Sequence, residues 1–126
     1  MLRACRGALK RGGILAFFTI LVPVGLPADL KEKAVEAGPT FVASDTRDHR
    51  DLLQRAGFTG IEEIDVSQEL RKTVSTWIKS RCRHAEGLAQ VEGAREFDEE
   101  QRKARRWLRA IKSGILRRSL FVARRV

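Results

Sequence analysis

Residues Ile14 to Ile20 read Ile-Leu-Ala-Phe-Phe-Thr-Ile, directly behind the pair Gly12-Gly13. The run does not alternate polar and apolar residues, and a continuous apolar run of this length fits a strand buried on both faces. Such a strand needs helices on both sides of its sheet, which points to an α/β layered fold. The apolar stretch from Ile14 to Val24 is broken by Thr19 and Pro23 and is too short to cross a bilayer. Arg3, Arg6, Lys10 and Arg11 precede it much as basic residues open a secretion signal. The Gly-Gly break and the missing small-residue cleavage pattern argue against one, so the chain is expected in the cytoplasm.

The rest of the chain alternates in the same way. Met1 to Arg11 reads as a helix with Leu2, Cys5, Ala8 and Leu9 on one face, stopped by the two glycines. After a loop through Pro23, Gly25 and Pro27, Asp29 opens a helix with Glu32 as its capping-box partner, and Gly38-Pro39 ends it. A further helix is predicted from about Thr46 to Ala56 and a strand from Phe58 to Val66, with Glu62-Glu63 near solvent at its edge. Leu70, Val74, Trp77, Ile78, Cys82 and Ala85 then hold a helical stripe. The polar stretch from Glu92 to Glu96 separates it from a helix starting at Asp98, with Gln101 as a capping partner and Ala104, Trp107, Leu108 and Ile111 inward. Gly114 stops that helix, and Ser119 to Arg124 is the last strand. Three strands are few for a sheet covered on both faces, and the first is expected to keep an unpaired edge that asks for a neighbour.

Three segments in this order carry a family resemblance. Leu9-Lys10-Arg11-Gly12-Gly13 followed by Ile14 to Ile20 resembles the helix-to-fifth-strand passage of class I S-adenosylmethionine-dependent methyltransferases, with Arg11 where that family usually has proline. Ala56-Gly57-Phe58 leading into Thr59 to Val66 is similar to the entry into the sixth strand. Gly114 to Arg125, Gly-Ile-Leu-Arg-Arg-Ser-Leu-Phe-Val-Ala-Arg-Arg, resembles the last strand, which in that family runs antiparallel between the other two. The resemblance spans about Leu2 to Arg124 and implies a single, partial Rossmann-like methyltransferase domain over 1–126. Its sheet would be three-stranded and mixed, with the last strand central. The helices of 67–114 would be an insertion before that strand, similar to the substrate caps of small-molecule methyltransferases. The implied parent activity is methyl transfer from S-adenosylmethionine to a small-molecule acceptor.

The family's glycine-rich turn after the first strand, and the acidic residue that holds the cofactor ribose, have no counterpart here. Gly12-Gly13 precedes a strand and cannot be that turn. No catalytic and no cofactor-binding residue is therefore assigned, and the chain alone is expected to bind no S-adenosylmethionine and to be inactive. Met1 falls inside a family helix motif, so the chain is expected to be a truncated or split half, or the product of a mis-called start. Its partner would be the missing N-terminal half or a chain that completes the sheet. In open α/β sheets ligands sit at the C-terminal strand ends, which makes Thr19, Ile20 and Pro23 candidate substrate-lining residues. Trp77 and Trp107 join them from the cap, although both also fit as core residues of amphipathic helices.

Other chemistry is weighed against this. The formal net charge is +9, and from Arg102 to Arg125 the chain holds many basic residues and no acidic one. The alternative reading is a small basic nucleic-acid-binding or partner-binding module without catalysis. No RNA-binding or reading-helix signature supports specific nucleic-acid binding, and tyrosine is absent, so stacking platforms are scarce. Cys5, Cys82, His49 and His84 make no recognisable metal set. His49, between Asp48 and Asp51, reads as an exposed helix histidine rather than a general base, and Asp98-Glu99-Glu100 as acidic residues at a helix N-terminus.

Overall fold

The computed structural model describes residues 1–38 and 48–126. Its elements are α1 (Leu2–Ala8), β1 (Ile14–Leu21), α2 (Ala28–Ala37), α3 (His49–Arg55), β2 (Phe58–Asp65), α4 (Ser67–Arg83), α5 (Ala85–Glu92), α6 (Ala94–Lys112) and β3 (Arg117–Arg125). The sheet order is β1-β3-β2. β3 runs antiparallel to both neighbours, so the last strand is central, as expected. The Gly12-Gly13 turn ties its C-terminal end down. Gly12, at φ +77, donates its N–H to the Arg125 carbonyl at 2.9 Å, and Arg125 N donates to the Gly13 carbonyl at 2.8 Å. The Arg125 guanidinium also bonds the Leu9 carbonyl. The β2–β3 ladder shifts register between Thr59 and Glu62, where Gly60 takes φ +58, a conformation open to glycine at little cost.

Register divides the sheet into two unlike faces. On one, Phe17, Phe121 and Glu63 lie in a row across the three strands, and Thr19, Ser119 and Asp65 in the next. This face is packed. Leu21, Leu53, Phe58, Ile61, Phe121 and Ala123 form a buried cluster that Leu2 and Leu9 of the α1 end and Leu15 and Phe17 of β1 border. Phe121 stacks on Phe17 with ring centroids 5.5 Å apart and on His49 at 5.3 Å. His49 is thus a packing residue of α3 and not the exposed histidine that its acidic neighbours suggest. Glu63 is likewise turned inward: Arg117 donates to Glu63 Oε1 at 2.9 Å and the buried Ser119 hydroxyl at 2.8 Å.

The other face carries Phe18, Leu120 and Ile64 in one cross-strand row and Ala16, Val122 and Glu62 in the next. Ile14 is 57% exposed, Phe18 55% and Ile64 48%. The expectation of a first strand buried on both faces therefore fails for the described residues. Its apolar run is continuous because both sides are apolar, yet helices cover only one of them. The Arg118 guanidinium carbon lies 4.5 Å from the Phe18 ring centroid and shields part of this face. The outer edge of β1 is unpaired within the described sheet.

A second core joins the helices beyond the strand ends. Val22, Ala34, Leu70, Val74, Ala110, Ile111 and Leu116 are buried together, with Ile20, Ile78 and Trp107 against them. Helix boundaries depart from the sequence reading in several places. α1 ends at Ala8, with Leu9 already extended, instead of at Arg11. α2 starts behind Pro27, and its N-cap forms no side-chain hydrogen bond, so the Asp29–Glu32 capping box is not made. α3 begins at His49, capped by Asp48, whose side chain accepts from Arg50 N at 3.0 Å; Thr46 and Pro39 lie outside the described residues. α6 starts at Ala94 and not at Asp98, because Gly93 at φ +93 breaks the chain direction just before it. The residues from Ala85 form a separate short helix, α5.

Candidate functional site

α2, α4 and α6 line a half-open cavity of about 730 Å³. Helical spacing builds its walls. Trp77, Ser80 and Arg81 project from one face of α4, and Glu100, Lys103, Ala104 and Trp107 from one face of α6. Arg106 adds a guanidinium, and the C-terminal end of α2 contributes Glu36, Ala37 and Gly38. The two indoles meet with centroids 6.1 Å apart and planes tilted by 48°. Trp107 packs against the core, its Nε1 buried without a hydrogen-bond partner, while Trp77 is 50% exposed. Trp77 is therefore a wall of the cavity and not the core residue that its place in the apolar stripe suggests.

One side chain fixes the geometry. Arg81 donates to both oxygens of Glu92, Nη1 to Oε1 at 3.1 Å and Nη2 to Oε2 at 2.7 Å, and its Nε donates to Gln101 Oε1 at 3.2 Å. Its guanidinium carbon lies 5.2 Å from the Phe97 ring centroid. Gln101, only 3% exposed, returns its own amide to the Ile78 carbonyl at 3.4 Å and to Cys82 Sγ at 3.2 Å. Gln101 thus does not cap α6; it locks α6 to α4 from the inside. The hydrogen bond from Arg81 holds the Glu92 carboxyl below its ordinary range, and the same bond raises the guanidinium.

The sequence candidates fall into two groups. Trp77 and Trp107 are brought together. Thr19, Ile20 and Pro23 do not line this cavity: the Thr19 hydroxyl leans back on the Ile20 carbonyl at 3.5 Å, and Ile20 packs into the helical core. Arg81, Gln101, Glu36 and Arg106 escaped the sequence reading. A signal for two of them existed. Arg81 follows Trp77 by one helical turn, and Gln101 is the one polar residue in line with Ala104, Leu108 and Ile111 on the inward stripe of α6. On the outer side of α6, Arg102, Arg105, Arg106 and Arg109 form a shallow basic surface with Glu99 and Lys103.

Two strand-to-helix turns are described, and neither has the make-up of a cofactor-binding turn. The loop from β1 to α2 holds Pro23 and Pro27, which lack the backbone N–H groups such a turn supplies. The β2-to-α4 junction is a tight turn in which Ser67 N bonds Asp65 Oδ1 at 2.9 Å, so that carboxylate is already engaged. Among the described residues no group of three or more His, Cys, Asp or Glu side chains could hold a metal ion, and no helix is long and apolar enough to cross a membrane.

The antiparallel central strand, flanked by two strands that run the same way as each other, is the C-terminal arrangement of the Rossmann-like methyltransferase fold. Solved structures match it over 98% of the chain. A phosphoethanolamine N-methyltransferase 2 from Haemonchus contortus, in complex with phosphomonomethylethanolamine and S-adenosylhomocysteine, superposes with a TM-score of 0.81 at 15% identity, the match covering 29% of that protein. A putative sarcosine dimethylglycine methyltransferase from Galdieria sulphuraria gives 0.83 at 14% identity over 45% of its chain. A cyclopropane synthase from Mycobacterium tuberculosis gives 0.77 at 12% identity over 48%. The chain thus spans less than half the length of these structures, and at such identities the likeness is one of fold. No protein-family model and no curated protein sequence matches the chain.

Proposed function

We propose that this chain is the substrate-side part of an S-adenosylmethionine-dependent methyltransferase that acts on a small-molecule acceptor. The observation that carries the reading is the sheet: a central antiparallel strand and, among the described residues, an unpaired apolar edge on β1 and a bare apolar face, in a fold shared with larger methyltransferases. The bare face and edge call for more strands and helices, from the N-terminal half of such an enzyme or from a partner chain. Those elements would hold the cofactor, which supplies an electrophilic methyl group; the turns present in this chain do not suit that task.

The contribution of this chain is position. The segment 67–114 acts as a cap, with Trp77 and Trp107 lining the acceptor site, while Thr19, Ile20 and Pro23, outside this cavity, would meet substrate only at the C-terminal end of β1. A cap that excludes water and orients the acceptor lowers the barrier without any covalent step from the protein. The reading places the protein in the cytoplasm and leaves the chain alone inactive. Calorimetric titration of the isolated chain with S-adenosylmethionine is expected to give no heat of binding up to millimolar cofactor. Micromolar binding by the chain alone overturns the division of labour proposed here.

A further inference from the structure

The cavity between α2, α4 and α6 has a chemistry that selects among small molecules. Its indole pair forms an open wedge, with one ring half-exposed and the other anchored in the core. Of its charged side chains, Arg81 is consumed by Glu92 and Gln101, and Glu100 pairs with Lys103 at 3.3 Å. Two remain. The Glu36 carboxylate at the end of α2 and the Arg106 guanidinium on α6 line the cavity, and neither has a hydrogen-bond or ion-pair partner among the described residues. A carboxylate and aromatic faces together favour an alkylated ammonium, since indole is the best neutral partner for such a cation. A free guanidinium favours a carboxylate or phosphate.

We infer that this cavity binds a zwitterionic amine: a methylated ammonium on the Trp77–Trp107 wedge beside Glu36, with the anionic group of the same molecule on Arg106. The inference rests on the methyltransferase reading only for the purpose of the ligand, as acceptor or product; binding itself needs no cofactor. It also explains the charge arrangement. A purely apolar acceptor has no use for Glu36 and Arg106, and a simple anion none for the indoles.

The test is a titration of the full chain, followed by tryptophan fluorescence and calorimetry, with three probes. Glycine betaine carries both charges, choline lacks the anionic group, and 3,3-dimethylbutyrate replaces the ammonium nitrogen by carbon at the same shape. Betaine is expected to bind saturably in the millimolar range, with each of the other two several-fold weaker. Trp77→Ala is expected to weaken betaine roughly three- to thirtyfold, with Trp77→Phe recovering part of the loss. Glu36→Gln should weaken betaine and choline but not 3,3-dimethylbutyrate, and Arg106→Gln should abolish the preference of betaine over choline. Far-UV circular dichroism checks that each variant is folded; Trp77, Glu36 and Arg106 all lie at the surface, so the fold should persist. Equal binding of 3,3-dimethylbutyrate and betaine, or no saturable binding of betaine, overturns the inference. If betaine binds but the assembled protein transfers no methyl group, the methyltransferase reading fails and the site stands. If the assembly is active but the chain ignores betaine, the site fails and the methyltransferase reading stands.

Discussion

Replacing Phe121 by alanine is expected to cost about 3–5 kcal/mol, the range for emptying a large aromatic from a packed core. Phe121 sits in the central strand at 1% exposure, between the Phe17 and His49 rings, and helps fill the cluster under α3. Nothing nearby can collapse into the gap, because both flanking strands are pinned to β3 by their ladders. With a urea slope of about 2 kcal/mol per molar, the unfolding midpoint should fall by roughly 2 M. A small domain holds only about 5–15 kcal/mol in all, so the variant should be largely unfolded at modest denaturant. Phe18→Ala is the control. Phe18 is the next residue on β1 but faces the bare side at 55% exposure, and its loss should cost under about 1 kcal/mol. Equal costs for the two substitutions, measured by urea unfolding, would show that the two faces are not unlike in the way the register indicates.

The second large effect concerns association. The row Phe18, Leu120 and Ile64, continued by Ala16 and Val122, forms an apolar strip on a sheet whose β1 edge offers unpaired backbone groups. Such a combination invites pairing between chains. The isolated chain is expected to self-associate as its concentration rises, read as an increase in sedimentation coefficient by sedimentation velocity. The double variant Phe18→Glu, Ile64→Lys should sediment as a monomer, with its circular dichroism unchanged. Glu at 18 can pair with Arg118, which already lies against the Phe18 ring, and Ile64 is half-exposed, so neither change empties the core. On the function proposed above, the same variant should also fail to join the elements that would cover this face. A wild-type chain that stays monomeric under these conditions contradicts the reading of the face as an interface.

Much of the fold was legible because local signals agreed with the global arrangement. Gly12-Gly13 before an apolar run, Ala56-Gly57-Phe58 and the Leu120 to Ala123 run marked strand ends that the structure confirms, and the central place of β3 followed from the family resemblance these segments carry. Where the reading went astray, the cause was tertiary. The apolar run of β1 reads the same whether helices cover two faces or one, so the bare face was invisible. Asp29 and Gln101 carry capping residue types at capping distances, but Pro27 starts α2 on its own terms, and burial recruits Gln101 to bind Arg81 and Cys82. Helical spacing puts Trp77 and Trp107 inward, and the structure brings them together; their role in a cap is an implication of the family resemblance alone. That Glu36 lines the same cavity depends on how α2 leans on α6, a contact between segments far apart in sequence, and no local pattern encodes it.

The central claim is that other elements complete this sheet and bring the cofactor. The most direct measurement is ultraviolet cross-linking of radiolabelled S-adenosylmethionine to the native assembly, captured from source cells through the 126-residue chain, beside the same reaction on the chain alone. The expected result is label on the assembly, on the elements that extend the β1 edge, and none on the isolated chain. Label on the isolated chain, or a captured assembly that takes up none, would contradict the account.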